Sequence, residues 1–156
     1  MNKWGHDYID LSLIHSPLPG SKKRLEAWKA IEDAIDAGKI RSGGVSNYGV
    51  HHLQELLDSK PRIIPAVNQV ELHPFLQRKD IETFCKKHGI HLEAYSPLTR
   101  GQRLKDPALV PIAQKYGKSV AQILIRYTLQ KVSILRSILK LGMDNSSQIC
   151  HKRAHH

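Results

Sequence analysis

Apolar and polar residues follow two patterns along this chain, one typical of strands and one typical of helices. Residues 8–14 alternate apolar with polar side chains, which predicts a buried strand, and His15 follows at its end. Residues 24–37 carry apolar side chains every three or four positions, which predicts a helix that stops at Gly38. A strand followed by a helix is therefore the first unit of the fold.

The same unit recurs along the chain. Further strands are predicted at residues 40–47, 63–70 and 90–95, with a short fifth strand near 132–135, and further helices at 49–59, 79–88, 108–116 and 119–129. Each strand and its helix take roughly 25–30 residues, which is the period of a (β/α)8 barrel. An open parallel sheet fits the same alternation. Four clear strands amount to about half of such a barrel.

Polar or aromatic residues stand where each predicted strand ends. They are His15, Ser46, Asn47, Gln69 and Tyr95. Because the carboxyl ends of parallel strands share one edge, where α/β proteins bind ligands, these side chains predict a binding site. The structural alternatives are a histidine with an internal partner, turn-stabilising roles for Ser46 and Asn47, and core packing for Tyr95.

The residue types at these strand ends suggest a ligand. Carboxamides such as those of Asn47 and Gln69 pair with another carboxamide, for example that of nicotinamide. The ring of Tyr95 can stack on a heteroaromatic ring, and His15 can donate a hydrogen bond to a carbonyl oxygen or carry a proton. The pair at 43–44 is not the glycine fingerprint of a Rossmann phosphate loop.

Composition adds limits to this interpretation. The chain has 156 residues, a formal net charge of +10 and two cysteines. Two cysteines give no disulfide framework, and no apolar run approaches the roughly 20 residues that cross a bilayer, so we expect a cytoplasmic protein without a membrane partner. The positive charge favours polyanionic ligands, either a phosphorylated cofactor or nucleic acid. The absence of a nucleic-acid motif, and the few aromatic residues, argue against nucleic acid.

Four sequence runs carry a more specific signal. They are DYIDLSLIH at 7–15, AGKIRSGGVSN at 37–47, VNQVELHP at 67–74 and AYSPL at 94–98. In this order and spacing they resemble the aldo-keto reductase family, over about residues 7–131. The resemblance implies a (β/α)8 barrel of which this chain contains roughly strands 4–7 and a candidate for strand 8. It also implies an oxidoreductase that uses NADPH, or NADH, to reduce aldehydes and ketones to alcohols.

The resemblance assigns roles to individual residues. His15 resembles the catalytic histidine that orients the substrate carbonyl, and Tyr95 the ring that stacks on nicotinamide. At the nicotinamide carboxamide, the resemblance places Ser46, Asn47 and Gln69. At the pyrophosphate it places Ser96 and Leu98, with Arg100 beside them. Arg136 and Ser137 stand in place of the pair that holds the 2′-phosphate in the family. No metal is implied.

This sequence departs from the family's pattern in two places. At residues 131–137, the segment that would hold the 2′-phosphate is shorter than in the family and irregular. The family's general-acid tyrosine, lysine and aspartate precede the segment that matches Asp7–His15, so we expect this chain to lack them and to be inactive alone. Residues 1–137 are predicted to form one partial barrel domain, and 138–156 a basic tail that is disordered or divergent. The alternative is a non-enzymatic fragment that binds a partner, or associates with itself, through open barrel edges.

Overall fold

The computed structural model describes residues 7–132 and the strand residues 134 and 135. Strands and helices alternate in the predicted order. The elements are β1 (Ile9–Ile14), α1 (Ser21–Asp36), β2 (Ile40–Ser46), α2 (Val50–Asp58), β3 (Val67–Glu71), α3 (Lys79–Lys87), β4 (His91–Tyr95), a 3-10 turn (Thr99–Gly101), α4 (Val110–Lys115), α5 (Val120–Lys131) and β5 (Ile134–Leu135).

The first four strands follow one another in space as they do in sequence, in the order β1-β2-β3-β4. β1 pairs with β2 in parallel, with Leu13 opposite Gly44, and β2 pairs with β3 in parallel, with Ser46 opposite Gln69. The carboxyl ends of these three strands therefore lie at one edge of the sheet, as the sequence pattern predicts.

The start of the third strand was predicted wrongly. The strand begins at Val67 and not at residue 63, because the backbone of Ile63 is bonded to side chains of α1. The indole Nε1 of Trp28 donates to the carbonyl oxygen of Ile63 over 3.1 Å, and the Ile63 amide donates to the carboxylate of Glu32 over 2.9 Å. Pro65 follows and has no amide hydrogen for a strand ladder.

The described residues divide into two compact units. The first comprises residues 7–70 and 78–93, and the second comprises 71–77, 94–132 and 134–135. The single domain over 1–137 stays a prediction. Residues 138–156 lie outside the described part of the chain.

The first unit has its core between β2, β3 and the helices. Trp28 of α1, Val45 of β2, Leu53 and Leu56 of α2 and Ile81 of α3 are all buried there. Burying side chains of this size is the main favourable term for such a unit.

A cysteine on α3 belongs to the same core. Cys85 is 1 % exposed, and burial raises the pKa of its thiol to about 11, against a smaller opposing effect of a hydrogen bond with Asn68. The thiol is therefore a packed, unreactive group at neutral pH.

The second unit is built mainly from helices. Ala113 of α4 and Leu124 and Thr128 of α5 are buried. α5 begins with the capping box predicted from its sequence: Ser119 Oγ accepts from the Gln122 amide over 3.2 Å, and Gln122 Oε1 accepts from the Ser119 amide over 2.8 Å. Within the described ranges, no helix is both long and apolar enough to cross a membrane.

Candidate active site

Three of the predicted site residues form one hydrogen-bond network with the backbone of a fourth, inside the first unit. Asn47 Nδ2 donates to the carbonyl oxygen of His15 over 3.0 Å and to Ser46 Oγ over 3.1 Å. Ser46 Oγ donates to the carbonyl oxygen of Gln69 over 2.9 Å, and the Asn47 amide donates to the same oxygen over 2.8 Å. The network therefore ties together the ends of β1, β2 and β3.

The backbone of Asn47 makes this network feasible. Its φ of 61° lies in the left-handed region, where asparagine is among the few non-glycine residues that are tolerated. The chain turns there at the end of β2, which brings the carboxamide to the end of β1.

His15 and Ser46 differ in what they offer a ligand. His15 is exposed, and its backbone rather than its ring is held by Asn47. The imidazole therefore faces solvent at the end of β1. Ser46 is 2 % exposed, and its hydroxyl both donates and accepts within the network. Its observed role is to position its neighbours, and its predicted contact with a cofactor stays a prediction.

The sequence interpretation missed Glu93. This residue of β4 is buried, and Gln69 Nε2 donates to its Oε1 over 2.9 Å. The sequence offers no clear signal for it, because Ile90, Leu92 and Ala94 alternate with polar residues, a pattern that predicts a solvent-facing glutamate. A buried carboxyl group with a carboxamide partner is a candidate functional residue.

Asn68 was missed as well, and it holds the turn after β2. Its Nδ2 donates to the carbonyl oxygen of Tyr48 over 2.9 Å, and the Tyr48 amide approaches its Oδ1 at 3.4 Å. The hydroxyl of Tyr48 is buried and has no hydrogen-bond partner, and burial raises its pKa. Asn68 therefore fixes the backbone beside Asn47, whereas Tyr48 packs in the core.

A clamp holds the loop that follows His15. Arg24 of α1 donates through Nη1 to the carbonyl oxygens of Pro17, over 3.0 Å, and Pro19, over 2.7 Å. The same guanidinium forms a two-point ion pair with the carboxylate of Glu55 on α2. A hydrogen bond from Ser21, followed by the hydrogen bond and charge of Arg24, lowers the pKa of Glu55. The loop thus has a fixed backbone.

The remaining described candidates belong to the second unit, where Tyr95 ends β4 and the others lie in the tight turn that follows. Tyr95, Ser96 and Leu98 are partly exposed and Arg100 is exposed. Ser96 and Arg100 have φ values of 52° and 55°, and the Thr99 amide donates to the carbonyl oxygen of Ser96 over 3.0 Å. Ser96, Leu98 and Arg100 lie on one short turn directly after Tyr95. The contacts of these four residues with a cofactor stay predictions. Arg136 and Ser137 lie outside the described residues.

The fold is a parallel α/β fold, and polar residues gather at the carboxyl ends of its strands. Comparison with known proteins identifies a family with the same features. The model of the aldo/keto reductase family matches residues 1–151, and the chain belongs to this family. The match extends beyond the runs at 7–131 on which the resemblance was based.

Three relatives illustrate the similarity. The chain is 58% identical over 138 residues to an uncharacterized oxidoreductase of Schizosaccharomyces pombe, covering 87% of this chain and 49% of the relative. It is 51% identical over 134 residues to the glyoxal reductase of Bacillus subtilis, covering 85% and 48%. The crystal structure of a Gox0644 mutant in complex with NADPH has a TM-score of 0.78 and 36% identity, covering 86% of this chain and 49% of that one.

These matches confirm the fold class predicted from the sequence. The fold is that of the aldo-keto reductases, a TIM barrel family, and the relatives are oxidoreductases. The chain spans about half the length of the curated relatives that it matches. The assignment of its strands to positions 4–7, and the incompleteness of the barrel, stay predictions.

Proposed function

We propose that this chain carries the carbonyl-binding histidine and part of the nicotinamide pocket of an NADPH-dependent reductase of aldehydes and ketones. The observation that carries the proposal is the network at the ends of β1, β2 and β3, which joins Asn47, Ser46 and Gln69 to the backbone of His15. A relative that has been crystallised in complex with NADPH supports the choice of cofactor.

The residues present suit a carboxamide ligand. Gln69 uses one N–H on Glu93, so its Oε1 and second N–H are an acceptor and a donor on one planar group. Asn47 is exposed at the same edge of the sheet. One acceptor and one donor are what the carboxamide of nicotinamide requires, and a bound reduced nicotinamide supplies the hydride for carbonyl reduction.

His15 acts on the substrate in this proposal. Its exposed imidazole donates a hydrogen bond to the carbonyl oxygen, which orients the substrate and stabilises negative charge as it develops there. Asn47, through its bond to the His15 carbonyl oxygen, and Arg24, through the loop that follows, hold the backbone that carries the ring. A fixed backbone favours a productive geometry.

We further propose that the 156-residue chain alone turns over slowly. The resemblance assigns the family's general acid to none of the five tyrosines of this chain. Tyr48 is 0 % exposed, and Tyr8 stands beside the amino end of β1, away from His15. A positioned acid is worth about 10² to 10⁴ in rate. Reduction of an aromatic aldehyde by this chain at about 1–10³ s⁻¹, the ordinary range for enzymes, would contradict this proposal.

Calorimetric titration with NADPH tests the pocket without requiring turnover. We expect the chain to bind NADPH, and Gln69→Leu to weaken binding roughly tenfold because a hydrogen-bonding group is lost from the pocket. Gln114→Leu is the matched control, since Gln114 is exposed on α4. No binding by the unaltered chain, or equal binding by the Gln69 variant, would refute the pocket.

A second candidate function is partner binding without catalysis. β1 is the first strand of the sheet order, and near it Tyr8 is 40 % and Ile9 51 % exposed. An exposed strand edge pairs readily with another strand, including that of a second copy of the chain. If β1 is the binding edge, Ile9→Lys will reduce self-association in sedimentation velocity. If the unaltered chain stays monomeric at all concentrations, it does not associate with itself, and that form of partner binding is refuted.

Three finer features belong to the same proposal. A preference for NADPH over NADH is assigned to Arg136 and Ser137, the substrate is a small carbonyl compound, and the protein is placed in the cytoplasm. Titration of NADH beside NADPH tests the first, because the two cofactors differ only in the 2′-phosphate.

A further inference from the structure

In the function proposed above, the buried carboxyl group of Glu93 only occupies one N–H of Gln69. We propose that Glu93 is a positioning residue, which fixes the carboxamide of Gln69 so that its oxygen faces the nicotinamide carboxamide. This inference rests on the proposed function. It assigns to Gln69 the recognition of the N–H group on the nicotinamide carboxamide of the cofactor.

The geometry supporting this role lies within the first unit. Gln69 Nε2 donates to Glu93 Oε1 over 2.9 Å, and the two residues are 8 % and 6 % exposed. Among the described residues, Glu93 is the hydrogen-bond partner of the Gln69 side chain. A bond between two such buried groups is shielded from competing water, so it holds its geometry better than a surface contact does.

The backbone of Gln69 is fixed independently. Its carbonyl oxygen accepts both from Ser46 Oγ, over 2.9 Å, and from the Asn47 amide, over 2.8 Å. The residue is therefore held by β2 through its backbone and by β4 through its side chain. The carboxamide retains one freedom, rotation by half a turn, which exchanges its oxygen with its nitrogen.

Glu93 removes that freedom for a chemical reason. A carboxylate accepts hydrogen bonds and donates none, so it attracts the Nε2 end and repels the Oε1 end of the carboxamide. With Nε2 turned toward Glu93, Oε1 points away from it as an acceptor. A nicotinamide carboxamide can then donate its N–H to that oxygen, whereas an analogue that carries a methyl ketone there cannot.

A pair of ligands tests this assignment. NADPH and its 3-acetylpyridine analogue differ in whether the group on the ring carries an N–H. We expect the unaltered chain to bind NADPH roughly threefold to tenfold more tightly than the analogue, which is the equivalent of one hydrogen bond. In Glu93→Met, which has similar size but no acceptor oxygen, we expect this ratio to fall toward one.

Two controls separate positioning from damage. Glu93→Gln retains size and can accept or donate, so we expect an intermediate ratio. The ligand 2′,5′-ADP lacks nicotinamide and should bind all three proteins equally. If the unaltered chain binds NADPH and the ratio stays the same in Glu93→Met, the inference is wrong and the proposed function stands. If the unaltered chain binds no NADPH, both are wrong.

A readout without cofactor tests the hydrogen bond itself. In a ¹⁵N–¹H spectrum, the side-chain NH₂ signals of Gln69 are identified by their loss in Gln69→Met. We expect the hydrogen that faces Glu93 to exchange slowly with solvent, and to become fast in Glu93→Met. Signals that are already fast in the unaltered chain would overturn the positioning role.

Discussion

β1 and β2 are neighbouring strands of one sheet, yet their environments differ greatly. No residue of β1 is fully buried, and Ile9 is 51 % exposed. In β2 the four residues from Gly43 to Ser46 are all buried, with Val45 at 0 %. The sequences suggest the reverse, since β1 shows the cleaner alternation of apolar residues and β2 contains two consecutive glycines.

The difference shows that a strand's burial depends on its neighbours as much as on its own residues. β2 lies between β1 and β3 and under α1, whereas β1 stands first in the strand order of the described sheet. Glycines 43 and 44 are what allow β2 to be covered so closely. An apolar pattern therefore predicts that a strand exists, but not how deeply it is buried.

Among the variants that test this comparison, Gly44→Ala is expected to reduce the free energy of unfolding most. A Cβ at this position would lie 2.6 Å from Leu13 Cδ2 and 2.7 Å from the carbonyl oxygen of Val67, and backbone cannot move away cheaply. We expect a loss of about 3 kcal/mol in the free energy of unfolding, measured in urea. Gly43→Ala is the control, because the three atoms nearest its new Cβ belong to side chains of α1 and not to backbone, and we expect a smaller loss. Equal losses would contradict this interpretation.

A second test compares the two strands directly. Val45→Ala empties space in the core and should cost about 2 kcal/mol, whereas Ile9→Ala removes a half-exposed side chain and should cost less than about 1 kcal/mol. Urea unfolding of both variants measures the difference. A larger loss of unfolding free energy for Ile9→Ala than for Val45→Ala would contradict the position of β1 at the edge of the described sheet.

A third test concerns the clamp that holds the end of β1. Arg24→Met should cost about 1–2 kcal/mol, because Glu55 loses its partner and two backbone carbonyls lose their donor. Amide hydrogen exchange at Leu18 should also become faster. Arg41→Met is the matched control, since Arg41 pairs with Asp10 at the surface, where both side chains are more than half exposed. Equal exchange rates in both variants would refute the clamp.

The smallest effect is a pH dependence at the start of α2. Burial, followed by the charge of His51, lowers the pKa of His52 below its ordinary value of 6.5, and the neutral Nδ1 accepts from the Gly49 amide over 3.3 Å. As the pH falls below 6.5, the unfolded chain takes up this proton before the folded chain does, so stability decreases. We expect less than about 1 kcal/mol between pH 7.5 and 5.5.

The variant His52→Ala isolates this contribution. It should be slightly less stable at neutral pH, because the Gly49 amide loses its acceptor, and its urea midpoint should change less with pH than that of the unaltered chain. An unchanged pH dependence in the variant would assign the effect to other groups.

Much of the fold could be predicted from the sequence, because strand and helix periodicities are local. The order of elements was correct, and so was the capping box of α5. The start of β3 was not predicted, because Trp28 and Glu32, about 30 residues away, bind the backbone of Ile63. A contact between distant residues leaves no periodic signal in the strand that it shortens.

The site was predicted in part for a similar reason. Strand ends are visible in sequence, so it could be predicted that Ser46, Asn47 and Gln69 share one edge of the sheet with His15. Their contacts with a cofactor stay predictions. Glu93 and Asn68 were missed because they lie inside strands, where polar residues are expected to face solvent. Their burial depends on the neighbouring strands and helices, which only the folded chain defines.

The buried thiol of Cys85 gives this chain an internal probe of its own opening. Because burial raises its pKa to about 11, an alkylating reagent at neutral pH can modify it only when α3 separates from its neighbours. The rate of labelling at this cysteine, followed by mass spectrometry of its peptide, therefore measures how often that part of the core opens under native conditions. Asn68 of β3 bonds the thiol, and Gln69 is the next residue of the same strand. A ligand held by Gln69 should therefore slow the labelling of Cys85.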